Sequence, residues 1–266
     1  MKPFYENYDL PCSGCSNEPI EKIPLFRIIE TLDSDYAKND LVSATRHLQY
    51  WRREAMMLGD MRSELSLCNE MIGLCRRTND IEEANLVISR ADFLIDKLRI
   101  ENTASAGTVY LNMATTLKHF GDSEKALLFY EKTERIYQTT LPQNAYEYAA
   151  LFNNKAAVLE ELGRYEEAFT LLHKALETLD LLSCHRIDKA ISYVNLARLL
   201  FVWKEDTDAV DRYLALAWET VCENGISHDG AYAFVCAKAS EVFAYFGRDD
   251  EALALSEVAR EIYEGA

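Results

Sequence analysis

The sequence predicts an all-α fold, a right-handed α-solenoid of about six antiparallel helix pairs. Three observations favour this fold class. Hydrophobic residues make up 49% of the 266 residues, which is enough for a large core. The chain contains only 10 Gly and 5 Pro, and Pro142 is the one proline after Pro24, so helix breakers are scarce. A sequence pattern also recurs at a fixed period, as expected of stacked repeats.

The repeat becomes visible when five segments are aligned on their second residue. In each segment an apolar helical stretch ends near a Gly or its substitute, and a second amphipathic helix follows. The aligned residues are spaced by 42 each time: Asn79, Gly121, Gly163, Glu205 and Gly247. The polar residues that follow, such as Asp80, Asp122 or Thr207, are N-cap candidates. One helix pair cannot bury its own apolar faces, so the units are expected to stack.

Two small residues recur in the second helix of each unit. The first position holds Ala84, Ala126, Ala168 and Ala252, and the second, seven residues later, holds Ala91, Thr133, Ala175, Ala217 and Ala259. Antiparallel helices about 8–10 Å apart need small side chains where their axes cross. Between 190 and 218 the pattern fits only if the register slips by one residue.

The period also sets the expected organisation of the chain. Residues 1–23 are predicted to be a loosely ordered tail, and residues 24–266 a single repeat domain. The expected repeats lie near 24–60, 65–100, 107–141, 145–182, 187–223 and 229–264.

The recurring small residues, with larger apolar residues between them and Gly-Arg-Tyr-Glu-Glu-Ala at 163–168, form a pattern that resembles the tetratricopeptide repeat. The 42-residue period, together with the segment 136–176, is similar to the kinesin light chain form of this repeat. The resemblance implies a superhelix in which the first helix of each pair lines a concave wall. It also implies that another protein or peptide binds along that wall.

An asparagine recurs on these first helices, at Asn69, Asn112, Asn154 and Asn195. An amide can pair with both the C=O and the N–H of an extended peptide, so this row predicts a peptide clamp. The alternative is that the amides bridge or cap neighbouring helices, and the spacing alone does not decide between the two.

Basic residues are scarce, so those on first helices stand out. Arg76, Lys118 and Lys238 are expected on or near the inner wall. In tetratricopeptide proteins that clamp a C-terminal carboxylate, Lys and Arg beside such asparagines hold it, which implies a similar role here. The alternative is that these side chains are solvated surface charges. Trp203 and Tyr245 are expected at helix ends that a partner could reach.

The formal net charge is −16, which argues against nucleic acid and anionic membranes as partners. The acidity either keeps the protein soluble or provides an acidic groove for a basic partner. The N-terminus lacks the features of a signal peptide, and no segment has the roughly 18 apolar residues of a membrane span. Cysteines within apolar helical patterns are typical of a reducing compartment, so we expect a cytoplasmic protein.

The strongest argument for a metal-binding or redox function is the motif Cys12-Ser-Gly-Cys15, which offers half of a zinc site or a redox pair. A zinc site needs two further ligands, and the nearest histidine is His47. No H-E-x-x-H, phosphate-binding loop or nucleophile motif occurs. The sequence therefore predicts a protein that is not an enzyme and has no cofactor.

The favoured function is a non-catalytic scaffold that takes an extended peptide or a helix of a partner along its concave face. A regulatory sensor that binds a short signalling peptide or small ligand is the alternative, and a zinc- or redox-linked role of Cys12 and Cys15 is a minor one. The array ends close to its last helix, so either the outer face of 249–263 is polar enough to face solvent or two chains meet there as a homodimer.

Overall fold

A computed structural model describes residues 22–223 and 225–265, and of Ser183 and Cys184 it describes the backbone. Twelve α-helices and one 3₁₀ helix make up the secondary structure of these residues. Most of the predicted tail, including Cys12 and Cys15, lies outside the described residues. At its end Ile23 is buried, and its N–H donates to Oδ2 of Asp60 at 3.2 Å.

Contacts divide the chain into two compact units, Met1–Leu141 and Pro142–Ala266, where the sequence analysis expected one domain. The first unit contains six helices: α1 (Leu25–Ala37), α2 (Leu41–Leu58), α3 (Met61–Thr78), α4 (Ile81–Leu98), α5 (Ala104–His119) and α6 (Ser123–Thr140). They pack as the pairs α1–α2, α3–α4 and α5–α6, and α3 also lies against α2 and α5.

The second unit repeats the arrangement with α7 (Tyr146–Glu161), α8 (Tyr165–Asp180), α9 (Lys189–Lys204), α10 (Thr207–Val221), α11 (Gly230–Tyr245) and α12 (Asp249–Gly265). The 3₁₀ helix Ser183–Asp188 connects α8 to α9. In this unit α9 lies beside both α7 and α11. The predicted all-α solenoid class, built from consecutive helix pairs, is confirmed.

The turn within each pair is specified by backbone conformation. One residue per turn has a positive φ, at Asn39, Asn79, Gly121, Gly163, Glu205 and Gly247. Five of these are the residues that revealed the 42-residue period, which confirms that the period marks the helix-to-helix turn. A left-handed residue ends a helix because it reverses the chain and frees the next residue to begin another helix.

The residue after the left-handed position begins the second helix in one of two ways. Aspartates at 40, 80, 122 and 206 accept a hydrogen bond from the backbone N–H three residues later, at 2.9–3.2 Å. Thr207, an N-cap candidate in the sequence, is instead the first residue of α10, and Asp206 is its cap. At 164 and 248 an arginine takes the place of the aspartate and forms an ion pair with the glutamate three residues later.

The small positions of the repeat are buried, as predicted. The residues at these positions, Ala84, Ala91, Ala126, Thr133, Ala168, Ala175, Ala217, Ala252 and Ala259, are at most 7% exposed. Thr133 also donates from Oγ1 to the carbonyl oxygen of Gly107 at 3.3 Å, which ties α6 to α5. A Cβ at Gly107 would lie 2.6 Å from Cε1 of Tyr137, so this crossing requires a glycine. In α10, Val210 occupies the place that the 42-residue period assigns to the first small residue.

Candidate functional site

In the first unit the structure brings two of the predicted asparagines together. Nδ2 of Asn112 on α5 donates to the carbonyl oxygen of Asn69 on α3 at 2.9 Å and to its Oδ1 at 3.1 Å. Thr116, one turn after Asn112, donates to the carbonyl oxygen of Ile72 at 3.4 Å and so adds a second contact between the two helices. The amide of Asn112 therefore bridges neighbouring odd-numbered helices.

The bridge leaves part of each amide unused. Asn112 has both Nδ2 protons engaged, but its Oδ1 has no partner among the described residues. Asn69 is complementary, because its Oδ1 is engaged and its Nδ2 has no acceptor in the same part of the chain. Together the two half-buried side chains present one acceptor and one donor, which is the combination that a single peptide group needs.

Arg76 lies on the same face of α3 as this amide pair, seven residues after Asn69. Its Nη2 lies 3.8 Å from the place where a Cβ on Gly73 would be, so the guanidinium folds back over that glycine. Burial lowers the pKa of the Arg76 guanidinium, and the nearby Tyr130 raises it. A guanidinium keeps its charge at any physiological pH.

The Arg76 guanidinium is half-buried and forms no ion pair with a described residue. Its neighbour in the sequence, Arg77, is exposed and stacks over the ring of Tyr36, with 5.0 Å from Cζ to the ring centroid. A partly desolvated positive charge without a counter-ion attracts an anion more strongly than a solvated one does. Lys118, the other basic residue predicted in this unit, lies half-buried near the end of α5.

In the second unit the structure engages Asn195 with Asn153, the residue next to the predicted Asn154. Asn195 on α9 donates from Nδ2 to Oδ1 of Asn153 on α7 at 3.1 Å. Asn153 in turn donates to Oγ of Ser192 at 2.9 Å and to the carbonyl oxygen of Ala149 at 3.1 Å. The predicted Asn154 is half-buried and makes no hydrogen bond to a described residue. Counting back one 42-residue period from Asn195 gives Asn153, which is the signal that identifies it.

The remaining predicted basic residue is on the surface. Lys238 on α11 is exposed, and its Nζ lies 3.0 Å from Oε1 of Glu241 on the same helix. Within the described part of the chain, no contact brings Lys238 to an asparagine of the predicted row.

Aromatic residues gather at the ends of α9 and α11. The Phe201 ring lies edge-on to Tyr245 and to Phe246, with centroid distances of 6.2 and 5.3 Å. Tyr245 is 65% exposed, and Val202, next to Phe201, is 48% exposed. Trp203 is half-buried, stacks on Tyr165 at 6.3 Å, and carries the Lys204 ammonium 4.0 Å above its ring. We call Phe201, Val202, Tyr245 and Phe246 the aromatic patch.

Groups that could carry out chemistry are sparse in the described part of the chain. Within residues 22–223 and 225–265, no three His, Cys, Asp or Glu side chains are grouped so that they could hold a metal ion. The ring of His185 stacks on Tyr146 at 3.9 Å, and its Nδ1 lies 3.2 Å from Oδ2 of Asp188. Burial raises the pKa of the Asp188 carboxyl. The described helices also include none that is long and apolar enough to span a bilayer.

Comparison with known proteins identifies the repeat. Residues 147–215 match the tetratricopeptide repeat family model. No curated protein sequence matches the chain. The structure of BtubC (BKLC) from P. vanneervenii is similar, with a TM-score of 0.57 and 21% identity over 86% of this chain and 91% of that one.

A putative kinesin light chain with nearly identical TPR-like repeats, from Podosopora anserina, is also similar. Its TM-score is 0.54 at 18% identity, over 74% of this chain and 94% of that one. A singly substituted form of that protein gives the same TM-score and identity, over 74% and 93%. At these identities the two proteins share the fold with this chain. The predicted likeness to the kinesin light chain form of the repeat is confirmed.

Proposed function

Because this chain carries tetratricopeptide repeats, we propose that it is a non-catalytic, cytoplasmic scaffold that binds an extended peptide or a helix of a partner protein. Proteins built from this repeat are typically interaction scaffolds. The binding surface in this proposal is the face of α3 and α5 that carries Asn69, Asn112 and Arg76.

Two features of one helix face carry the proposal. The half-buried Arg76 guanidinium has no counter-ion among the described residues, and about two helical turns away the amide pair leaves one donor and one acceptor unused. A carboxylate of the partner, from an acidic side chain or a C-terminus, would supply the counter-ion. One peptide group of the same partner would then take the Nδ2 of Asn69 and the Oδ1 of Asn112. Each neutral hydrogen bond contributes about 0.5–1.5 kcal/mol and a charged one about 1.5–3 kcal/mol.

These contacts alone do not reach the roughly 8 kcal/mol of micromolar binding. Contacts of the partner's other side chains with neighbouring surface must add the rest. The proposal therefore describes an anchor for one carboxylate and one peptide group, and sequence preference beyond them comes from elsewhere on the partner.

A displayed library of random 12-residue peptides with free C-termini, selected on the full chain, tests the proposal. The enriched peptides are then titrated by fluorescence anisotropy against the wild type, Arg76→Gln and Arg77→Gln. We expect enrichment of acidic peptides and a loss of affinity of about tenfold or more for Arg76→Gln. Arg77→Gln is the matched control and should change the affinity less than twofold.

The double variant Asn69→Ala/Asn112→Ala should weaken the same peptides further, provided that its melting temperature shows a folded chain. Enriched peptides that bind Arg76→Gln as tightly as the wild type would overturn the proposed anchor. A selection dominated by basic peptides would place the principal binding surface elsewhere.

A further inference from the structure

The aromatic patch of the second unit is a surface of a different kind, in which exposed apolar side chains lie close in the sequence to unpaired charges. Val202 and Tyr245 are 48% and 65% exposed, and the ring of Phe201 contacts those of Tyr245 and Phe246, which brings the ends of α9 and α11 together. Contiguous exposed apolar residues mark interaction sites, whereas exposed apolar residues scattered singly are normal. The α3–α5 face described above has no such cluster among its binding residues.

Carboxylates follow the ends of both helices closely in the sequence. Glu205 follows the end of α9, and Asp249 and Asp250 begin α12 immediately after the turn at Gly247. All three side chains are exposed, and none forms an ion pair with a described residue. The nearby cations are already engaged: Lys238 with Glu241, Arg248 with Glu251, and Lys204 over the Trp203 ring.

The second unit as a whole has the same charge bias. It contains 11 Lys and Arg against 22 Asp and Glu, so residues 142–266 carry −11 of the net charge of −16. A positively charged partner is attracted to such a surface, and a second copy of this chain would meet its own negative charge there.

Glu205 is also in an unusual backbone conformation. Its φ is +53°, at the turn position where the equivalent residues 121, 163 and 247 are glycines. The left-handed region disfavours an ordinary side chain, and the Glu205 carboxylate gains no compensating ion pair from the described residues. A strained residue with an unpaired charge beside an exposed apolar patch is consistent with selection for binding.

We propose that the aromatic patch binds a basic amphipathic segment of a partner protein. In this arrangement one or two apolar side chains of the segment lie against Val202 and Tyr245. Its Lys or Arg side chains reach Glu205, Asp249 and Asp250. This surface differs from the α3–α5 face in its residues and in the sign of its charge.

The test is a selection of displayed random 16-residue peptides on the full chain, followed by binding of each enriched clone to the double variant Val202→Ser/Tyr245→Ser. The matched control is Leu253→Ser/Tyr263→Ser, which removes an aliphatic side chain that is 58% exposed and a tyrosine that is 51% exposed from α12. We expect a class of clones that combine apolar and basic residues, lose at least tenfold in affinity on the patch variant and change less than twofold on the control. Their affinity should fall steeply between about 50 and 300 mM salt.

A second variant separates binding from folding. Glu205→Gly removes the charge and relieves the left-handed glutamate, so we expect a higher melting temperature together with an affinity lowered several-fold for the basic clones. Basic clones that bind the patch variant like the wild type would show attraction to the acidic surface in general and would overturn the proposal. The proposal would also be overturned if every clone that loses affinity on the patch variant were acidic or neutral. A dimer of this chain that Tyr245→Ser dissociates would overturn it as well.

Discussion

Nδ2 of Asn195 lies 3.1 Å from Oδ1 of Asn153, so a side-chain amide on α9 is fixed by one on α7. The same Asn153 donates to Ser192, which is fully buried on α9. Two adjacent helix pairs of the second unit are thus held in register by a polar network in which each amide proton of Asn153 has an acceptor.

This network predicts different effects for two adjacent asparagines. Asn153→Ala leaves the buried Ser192 hydroxyl and the Asn195 amide without their partners, and we expect a loss of about 1–3 kcal/mol in the free energy of unfolding. Asn154→Ala is the matched control, which removes no hydrogen bond to a described residue and gains helix propensity, so a change within about 0.5 kcal/mol is expected. Urea unfolding followed by circular dichroism measures both, and equal losses in the two variants would contradict the assigned network.

The helix crossing at Gly107 predicts a steric effect. Gly107→Ala places a methyl group 2.6 Å from the buried Tyr137 ring, and we expect overpacking to cost about 1–3 kcal/mol. Gly73→Ala, in the equivalent first helix of the preceding pair, has only Arg76 Nη2 at 3.8 Å and should be neutral or stabilising. Differential scanning calorimetry compares them. A melting temperature that Gly107→Ala leaves unchanged would mean that Tyr137 can move aside.

The buried carboxylate of Glu64 predicts a third difference. Arg90 donates to both of its oxygens, at 2.7 and 2.9 Å, and the Glu64 side chain is 4% exposed. Arg90→Gln leaves that charge buried without its partner, and we expect a loss of about 2–3 kcal/mol, less than for a fully buried pair because Arg90 is partly exposed. The exposed pair Arg164–Glu167 is the control, and Arg164→Gln should cost at most about 1 kcal/mol by the same unfolding measurement.

The cysteines predict a loss of stability at alkaline pH. Burial raises the pKa of the thiols of Cys68, Cys75 and Cys236 to about 11, from 9.0. A group whose pKa is higher in the folded chain stabilises it fully below the unfolded value, and that contribution is lost as pH rises from about 9 to 11. We expect the melting temperature to fall between about pH 8.5 and 10.5. In the variant Cys68→Ala/Cys75→Ala the melting temperature should fall by less over this pH range. Each protein's fall is measured from its own melting temperature at about pH 8.5.

The same burial predicts which thiol reacts. At mildly alkaline pH iodoacetamide should modify Cys222, which is exposed, well before Cys68, Cys75 or Cys236, which are buried. Peptide mapping by mass spectrometry measures each site separately, and unfolding in urea should make the four rates similar. Modification of Cys68 at the rate of Cys222 in the native chain would contradict its position in the core.

Much of the fold can be predicted from the sequence because two local patterns reveal the repeat. They are the small residues at helix crossings and the turn residue that recurs every 42 positions. Ala91, Ala175 and Ala217 are fully buried for the reason that the pattern suggests. The cap of α10 was assigned one residue late, because aspartate and threonine are both good N-caps and lie next to each other at 206 and 207.

The site was harder to predict because successive side chains on a helix point in directions about 100° apart. Neighbouring asparagines can therefore differ in role: Asn153 bridges two helices, whereas Asn154 makes no such bond to a described residue, and its predicted contact with a peptide stays a prediction. Arg76 was identified by its type and helix, but its lack of a counter-ion in the described chain depends on neighbours from α3 and α6 that no local pattern specifies. Tyr245 was expected to be reachable, whereas its contact with Phe201 depends on the packing of α9 against α11.

The left-handed residue at the turn of each of the six described helix pairs has a consequence for how such a chain can evolve. The turn requires a backbone angle rather than a particular side chain, so asparagine, glycine and glutamate all serve at that position. A block that runs from one such residue to the next begins and ends in the same backbone conformation. It can therefore be duplicated or exchanged by recombination as an intact module, while its side chains diverge too far for residue-by-residue comparison to detect the common origin.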